Sequence, residues 1–223
     1  MEDSKYFIFV DERGDPGSVV DSSSYYQLNV VLTNRIGIQN INKEISRFRY
    51  FLDFGKELKE YWSRDKLKAK IVDIVENILV HNEENVYTFI FYVDKKKYKG
   101  PHLGKSGTKF RDYLLIKALE YIFKNNEYVS LEKLESIELV IDRYLENEKE
   151  QRGLADFIRN NYNLPRSKDG VSKIAHIVHI QSLYSDALQV SDIIGRYFSE
   201  IQNTKKGPVA LRSPKPFSSI YKL

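Results

Sequence analysis

Asp11, Asp94, Asp142 and Asp192 are the residues of this chain whose type and placement point to chemistry. The first three each close a short apolar run: Tyr6 to Val10 before Asp11, Val86 to Val93 before Asp94, and Ile137 to Ile141 before Asp142. A carboxylate at the end of a buried strand is costly to desolvate unless a cation or hydrogen-bond donors stand nearby. Several carboxylates within a few ångströms cannot all ionise uncompensated, and hard divalent ions such as Mg²⁺ or Mn²⁺ relieve the repulsion through oxygen ligands. Two such ions ~3.5–4 Å apart can activate a water and stabilise the leaving oxygen in phosphodiester cleavage. The competing expectation gives each acid a local task. Asp11 or Asp15 would organise the Gly14-Asp15-Pro16-Gly17 turn, and Asp192 would pair with Arg196 one helical turn on, for only ~0.3–0.5 kcal/mol.

The elements that must position these acids follow from the patterning. Tyr6 to Val10 is continuously apolar and reads as a central strand, buried on both faces. It ends on the adjacent carboxylates Asp11 and Glu12, at the side where open α/β sheets bind ligands. Tyr25 to Leu32 reads as its hairpin partner, and Val86 to Val93, Ile137 to Asp142 and Ile174 to Gln181 as further strands. Helical spacing marks Ile38 to Leu52, Ser63 to Asn82, Phe110 to Ile122, about Lys149 to Asn161, and Ser185 to Ile201. Phe54 to Trp62 fits neither period. In the last helix Ala187, Val190, Ile194, Phe198 and Ile201 form the buried stripe, with Gln189, Asp192 and Arg196 beside it. Small Ser191 and Gly195 would let this helix approach the sheet closely. Strands interleaved with helices indicate a mixed α/β sheet.

Composition sets the outer bounds. The 223 residues fit one domain, residues 1–207, followed by an extended tail, 208–223, with three prolines. A 42% hydrophobic content argues against a disordered chain. No apolar run approaches the ~20 residues needed to span a bilayer, and the start does not read as a secretion signal, so no membrane role is expected. The absence of cysteine excludes disulfides and thiolate metal sites and fits a cytoplasmic protein. A net charge of +4, from 35 basic and 31 acidic residues, does not by itself identify a nucleic-acid binder.

Four stretches together resemble a known family. Phe9-Val10-Asp11-Glu12-Arg13-Gly14-Asp15-Pro16-Gly17 is similar to the Asp-Glu-Ser-Gly-(Asn/Asp)-x-Gly opening of the family called domain of unknown function 3800. Glu57-Leu58-Lys59 matches its Glu-Leu-Lys, and Val140-Ile141-Asp142-Arg143 its apolar-apolar-Asp strand end. Leu188-Gln189-Val190-Ser191-Asp192 resembles its Gln-Leu-Ala-Asp helix. The resemblance implies a ribonuclease H-like mixed sheet with helices packed against it. It also implies a catalytic, metal-binding set of Asp11, Glu57, Asp142 and Asp192, with Mg²⁺ or Mn²⁺ as cofactor. Glu12, Lys59 and Gln189 would support that set. Arg13 departs from the family's small serine, where a guanidinium would contact a scissile phosphate or pair with Glu12 or Asp15. Asp94 competes with Asp142, because the sequence does not say which strand lies beside the first.

Lys95, Lys96, Lys97, Lys99, Lys105, Lys109 and Arg111 crowd one segment, with Tyr98 and His102 among them. Beside an acidic centre such a cluster would hold a polyanion through phosphate contacts, so Lys95, Lys96, Lys97, Lys105 and Lys109 are candidate nucleic-acid contacts together with Arg13. A solvated lysine loop is the plain alternative. Gly100 to Ser106 invites a phosphate-loop reading, but only three residues separate Gly100 from Gly104-Lys105 where the motif needs four. His176 and His179 fall on opposite sides of a strand and cannot readily share a metal. The expectation is a Mg²⁺- or Mn²⁺-dependent nuclease acting on nucleic acid, with protein partners undefined. The alternatives are a binding module on the same fold or, behind it, a nucleotide hydrolase.

Overall fold

The computed structural model describes residues 4–17, 24–50, 56–103, 107–124, 128–142, 148–203 and 219–222. Strand β1 (Lys5–Arg13) is central, as its apolar run requires. It pairs antiparallel with β2 (Tyr25–Asn34), which pairs antiparallel with β3 (Val86–Asp94). On its other side β1 pairs in parallel with β4 (Ser136–Asp142), and β4 with β5 (Ile174–Ile180). A short β6 (Ser219–Lys222) runs parallel to β3, completing the order β5-β4-β1-β2-β3-β6. Three antiparallel strands extended by parallel ones, with helices against both faces, are a ribonuclease H-like α/β arrangement. The tail expected to be extended from 208 thus ends, at 219–222, as a strand on the edge of β3.

Period-two alternation divides the core. Ile8, Val10, Leu28, Val30, Phe89 and Phe91 face α3 (Gly107–Lys124) and α4 (Glu148–Arg159). Phe9, Val31, Ile90 and Val140 face the opposite layer. That layer holds α1 (Arg35–Arg49), α2 (Asp65–His81) and α5 (Asp186–Asn203). The Asn34 side chain caps α1 by accepting from the Gly37 N–H at 2.9 Å. In the stretch that fitted neither period, Leu58–Tyr61 is a single 3-10 turn closed by a capping box between Glu57 and Glu60. Such a turn is too short to show a periodicity.

Residues far apart in sequence seat α5 against β1 and β2. Ser191 Oγ donates to the Asn29 carbonyl at 2.8 Å, and Gln27 Nε2 donates to the Gly195 carbonyl at 3.2 Å. A Cβ at position 195 would lie 2.1 Å from Asn29 Nδ2, so glycine is what permits this approach. The two small residues therefore set how near α5 comes to the end of β1.

Candidate functional site

Alternation places Asp11 on the same side as Phe9, the α5 side. Asp142 follows Val140 by the same count on β4, and the register matching Val10 with Ile141 brings Asp142 beside Asp11. Topology thus decides between the two competing strand ends. β3 lies beyond β2, and Asp94 there caps its own turn, accepting from the Lys96 N–H at 3.1 Å. Asp192 comes from α5, the helix lying over β1 and β2.

Asp11 is only 5% exposed. Burial holds its carboxyl well above the usual range, and the Asp192 and then the Asp142 carboxylates push it further. Asn29, its cross-strand partner, opposes the shift by donating from Nδ2 to Oδ2 at 3.3 Å. Neither Asp11 nor Asp142 forms an ion pair among the described residues, and of the two Asp11 is the more deeply buried.

Glu57 reaches the group through Ser182. The Ser182 hydroxyl donates to Glu57 Oε1 at 2.7 Å, and the Ser182 N–H donates to Asp142 Oδ1 at 2.9 Å. Gln189 locks both segments: Oε1 accepts from the Leu58 N–H at 3.0 Å, and Nε2 donates to the Ser182 carbonyl at 3.0 Å. Lys59 pairs with Glu57. Burial works against the Lys59 charge, but Glu57, followed by Asp192 and Asp142, holds its ammonium above the usual range. Asp192 accepts from Arg196 Nε at 3.0 Å on each oxygen. Arg13 lies on the Asp11 side of β1. Its burial and the Arg196 guanidinium disfavour its charge, while Asp192, Asp11 and Glu200 favour it.

Asp11, Glu57, Asp142, Asp192, Lys59, Gln189 and Arg13 are therefore drawn to one end of the sheet. Glu12 is not. Adjacent residues on a strand face opposite ways, and Glu12 turns toward α3, where the Tyr26 hydroxyl donates to Oε2 at 2.7 Å and Arg111 stands 3.7 Å from Oε1. Burial pushes the Glu12 carboxyl up, against Arg111 and Tyr26. Lys95 is not a surface cation either. It is 2% exposed, and its ammonium donates to the Asp15 carbonyl at 2.7 Å, so it braces the turn after β1 and does not face solvent. Lys96, Lys97 and Lys109 are exposed, with Lys97 3.6 Å from Asp94. Lys105 lies outside the described residues.

Only oxygen donors converge here, which suits a hard divalent ion and no soft one. Among the described residues, no group of three or more acidic or histidine side chains forms a ready cage for an ion. Two of the acids instead carry internal cations, Arg196 on Asp192 and Lys59 on Glu57. Ser182 and Asn29 are the site residues that patterning missed. Asn29 leaves a trace, since Gln27, Asn29 and Thr33 make the Asp11 side of β2 polar while Leu28, Val30 and Leu32 keep its other side apolar. Ser182 leaves none, since its two hydrogen bonds exist only after folding.

No family model matches the chain, and no curated protein matches it. Among solved structures it is similar to the crystal structure of Aquifex aeolicus RNase H3, with 12% identity and a TM-score of 0.37. The match covers 88% of this chain and 56% of that one, so the chain spans little more than half the length of that protein. A likeness of this size says nothing of activity. No helix among the described residues is long and apolar enough to cross a membrane.

Proposed function

We propose that this protein is a Mg²⁺- or Mn²⁺-dependent nuclease hydrolysing phosphodiester bonds, with Asp11, Glu57, Asp142 and Asp192 as its acidic centre. One observation carries the proposal: Asp11 is buried, without an ion pair among the described residues, against two carboxylates from separate parts of the chain. Such an arrangement costs stability, and a fold gains nothing from it unless a cation is to be held. The resemblance to the domain of unknown function 3800 supports the same four residues.

A divalent ion held by these acids would supply Lewis acidity and a nucleophilic water at neutral pH. The chain's own residues do the positioning. Ser182 and Gln189 fix Glu57 next to Asp142, and Asn29 fixes the Asp11 carboxylate. Arg13 and Arg196 give the centre two guanidinium groups suited to a phosphate, and Lys59 contributes a point charge. Lys96, Lys97 and Lys109 would hold the flanking backbone by charge alone.

The test is incubation of labelled single-stranded and duplex DNA, RNA and hybrid with Mg²⁺, Mn²⁺ or chelator. Cleavage that needs the ion and disappears in Asp11→Asn and Asp142→Asn supports the proposal; no cleavage of any substrate by wild type refutes it. The pairing of Asp192 with Arg196 and of Glu57 with Lys59 favours a second reading, a binding module with its acids in structural pairs. Calorimetric titration with Mn²⁺ separates the two, because a binding module shows no ion uptake that Asp11→Asn removes.

A further inference from the structure

On the α3 side of the sheet, a groove of about 330 Å³ is lined by Tyr98, Tyr113 and Tyr121 together with Lys117, Lys124 and Glu120. We infer that this groove binds single-stranded nucleic acid, its tyrosines stacking on bases and its lysines meeting phosphates; the inference rests on the nuclease proposal above and names the form of strand that the centre receives. The rings are anchored by the core. Tyr98 meets Phe110 edge-on at 5.3 Å between centroids, and Tyr121 meets Phe91 at 6.0 Å. Lys117 lies 5.7 Å above Tyr113. Glu120, the acid of the groove, is already engaged by Lys117 at 2.7 Å and by the Asn161 and Asn163 amides at 3.1 and 3.0 Å. What remains for a ligand is aromatic surface beside the exposed Lys124, with Lys117 half-buried and already paired to Glu120; aromatic rings next to a lysine are the composition that binds single strands.

The groove is continuous with the lysine turn, since Tyr98 stands between the exposed Lys97 and Lys99. That turn abuts the segment following Asp11: Lys95 holds the Asp15 carbonyl, and the start of α3 packs on Pro16, which lies 3.4 Å from a Cβ built at Gly107. The acidic centre lies on the α5 side of the sheet and the groove on the α3 side, so a strand that reached both would cross this ridge. Tyr113 and Tyr121 are eight residues apart on one helix, about 12 Å, room for on the order of three stacked bases. A duplex would leave the rings unused, because its base faces are already stacked.

The test is fluorescence anisotropy in chelator with labelled oligothymidylate, oligouridylate and a duplex of the same length. Tyr113→Leu should weaken single-strand binding by about ten-fold, as loss of one stacked base does, and Tyr113→Phe should keep it. Lys124→Glu, on exposed surface at the end of α3, should weaken it while the protein stays folded at the assay temperature by thermal melt, so a folding defect cannot imitate the result. Unchanged single-strand affinity in both Tyr113→Leu and Lys124→Glu, or duplex bound as tightly as single strand, overturns the inference. Ion-dependent cleavage alongside such a result would leave the nuclease proposal standing. Groove-dependent binding without any cleavage would support the groove and sink the nuclease.

Discussion

Asp11 shows most clearly how the site is held against its own electrostatics. Its carboxyl is raised by burial and by Asp192 and Asp142, so the folded state favours its protonated form relative to the unfolded chain. Stability from this group is therefore fully present below the ordinary aspartate pKa of about 3.9 and is lost as pH rises through the raised folded value. Asp11→Asn, which cannot ionise, should be more stable than wild type at neutral pH by on the order of 1 kcal/mol. That advantage should shrink to nothing on acidification below the ordinary aspartate range. Thermal unfolding across pH in chelator measures it; a variant less stable at pH 7 would mean that Asp11 is structurally compensated. Arg196 allows a related measurement. Its guanidinium holds both oxygens of Asp192, so it competes with any ion that needs them. Arg196→Gln should bind Mn²⁺ at least about two-fold more tightly by calorimetry, the factor expected from freeing an i,i+4 pair. Unchanged affinity would show that Asp192 takes no part in binding the ion.

Among the elements, α5 matters most, because it brings Asp192 and Gln189 to the sheet while Ser191 and Gly195 bring the helix close. Alanine at 195 would improve intrinsic helix propensity by ~1 kcal/mol. The gain is outweighed, because the new methyl would lie 2.1 Å from the amide of Asn29, which is fully buried and bonded to Asp11. Gly195→Ala should therefore destabilise the protein by roughly 1–3 kcal/mol in denaturant unfolding and should lower ion affinity with it. A stabilised variant would show that the contact is loose. The element scale also shows why the sequence was only partly legible. Asp11 and Asp142 could be picked out because a strand that is apolar to its last residue gives no local reason for an acid there. Glu12 could have been separated from Asp11 by the alternation of the strand alone. The fate of Lys95 could not, because a run of lysines reads as solvated until a tight turn buries its first member against the Asp15 carbonyl.

For the whole molecule, the sheet is asymmetric at its edges. β6 covers β3 along Phe89, Ile90, Phe91 and Tyr92, an aromatic, uncharged stretch that would otherwise expose unpaired backbone. A chain cut after residue 207 should keep the acidic end of the sheet but self-associate through this edge. Light scattering against concentration would detect the association, and a monodisperse truncated chain would show that the edge is protected by other means.

The sequence by itself determined the elements and the residue types that end them, because hydrophobic period, turn chemistry and small residues act within a few positions of one another. It thereby determined that acids would stand at strand ends and that one helix could lie close to the sheet. Only the tertiary structure decided which acids meet. The neighbour of β1 is β4 and not β3, Ser182 joins Glu57 to Asp142, and α5 lies over Asp11. Each of these is a contact between segments separated by tens of residues or more, chosen by how two hydrophobic layers can be buried on one twisted sheet. No local pattern of residues encodes that choice.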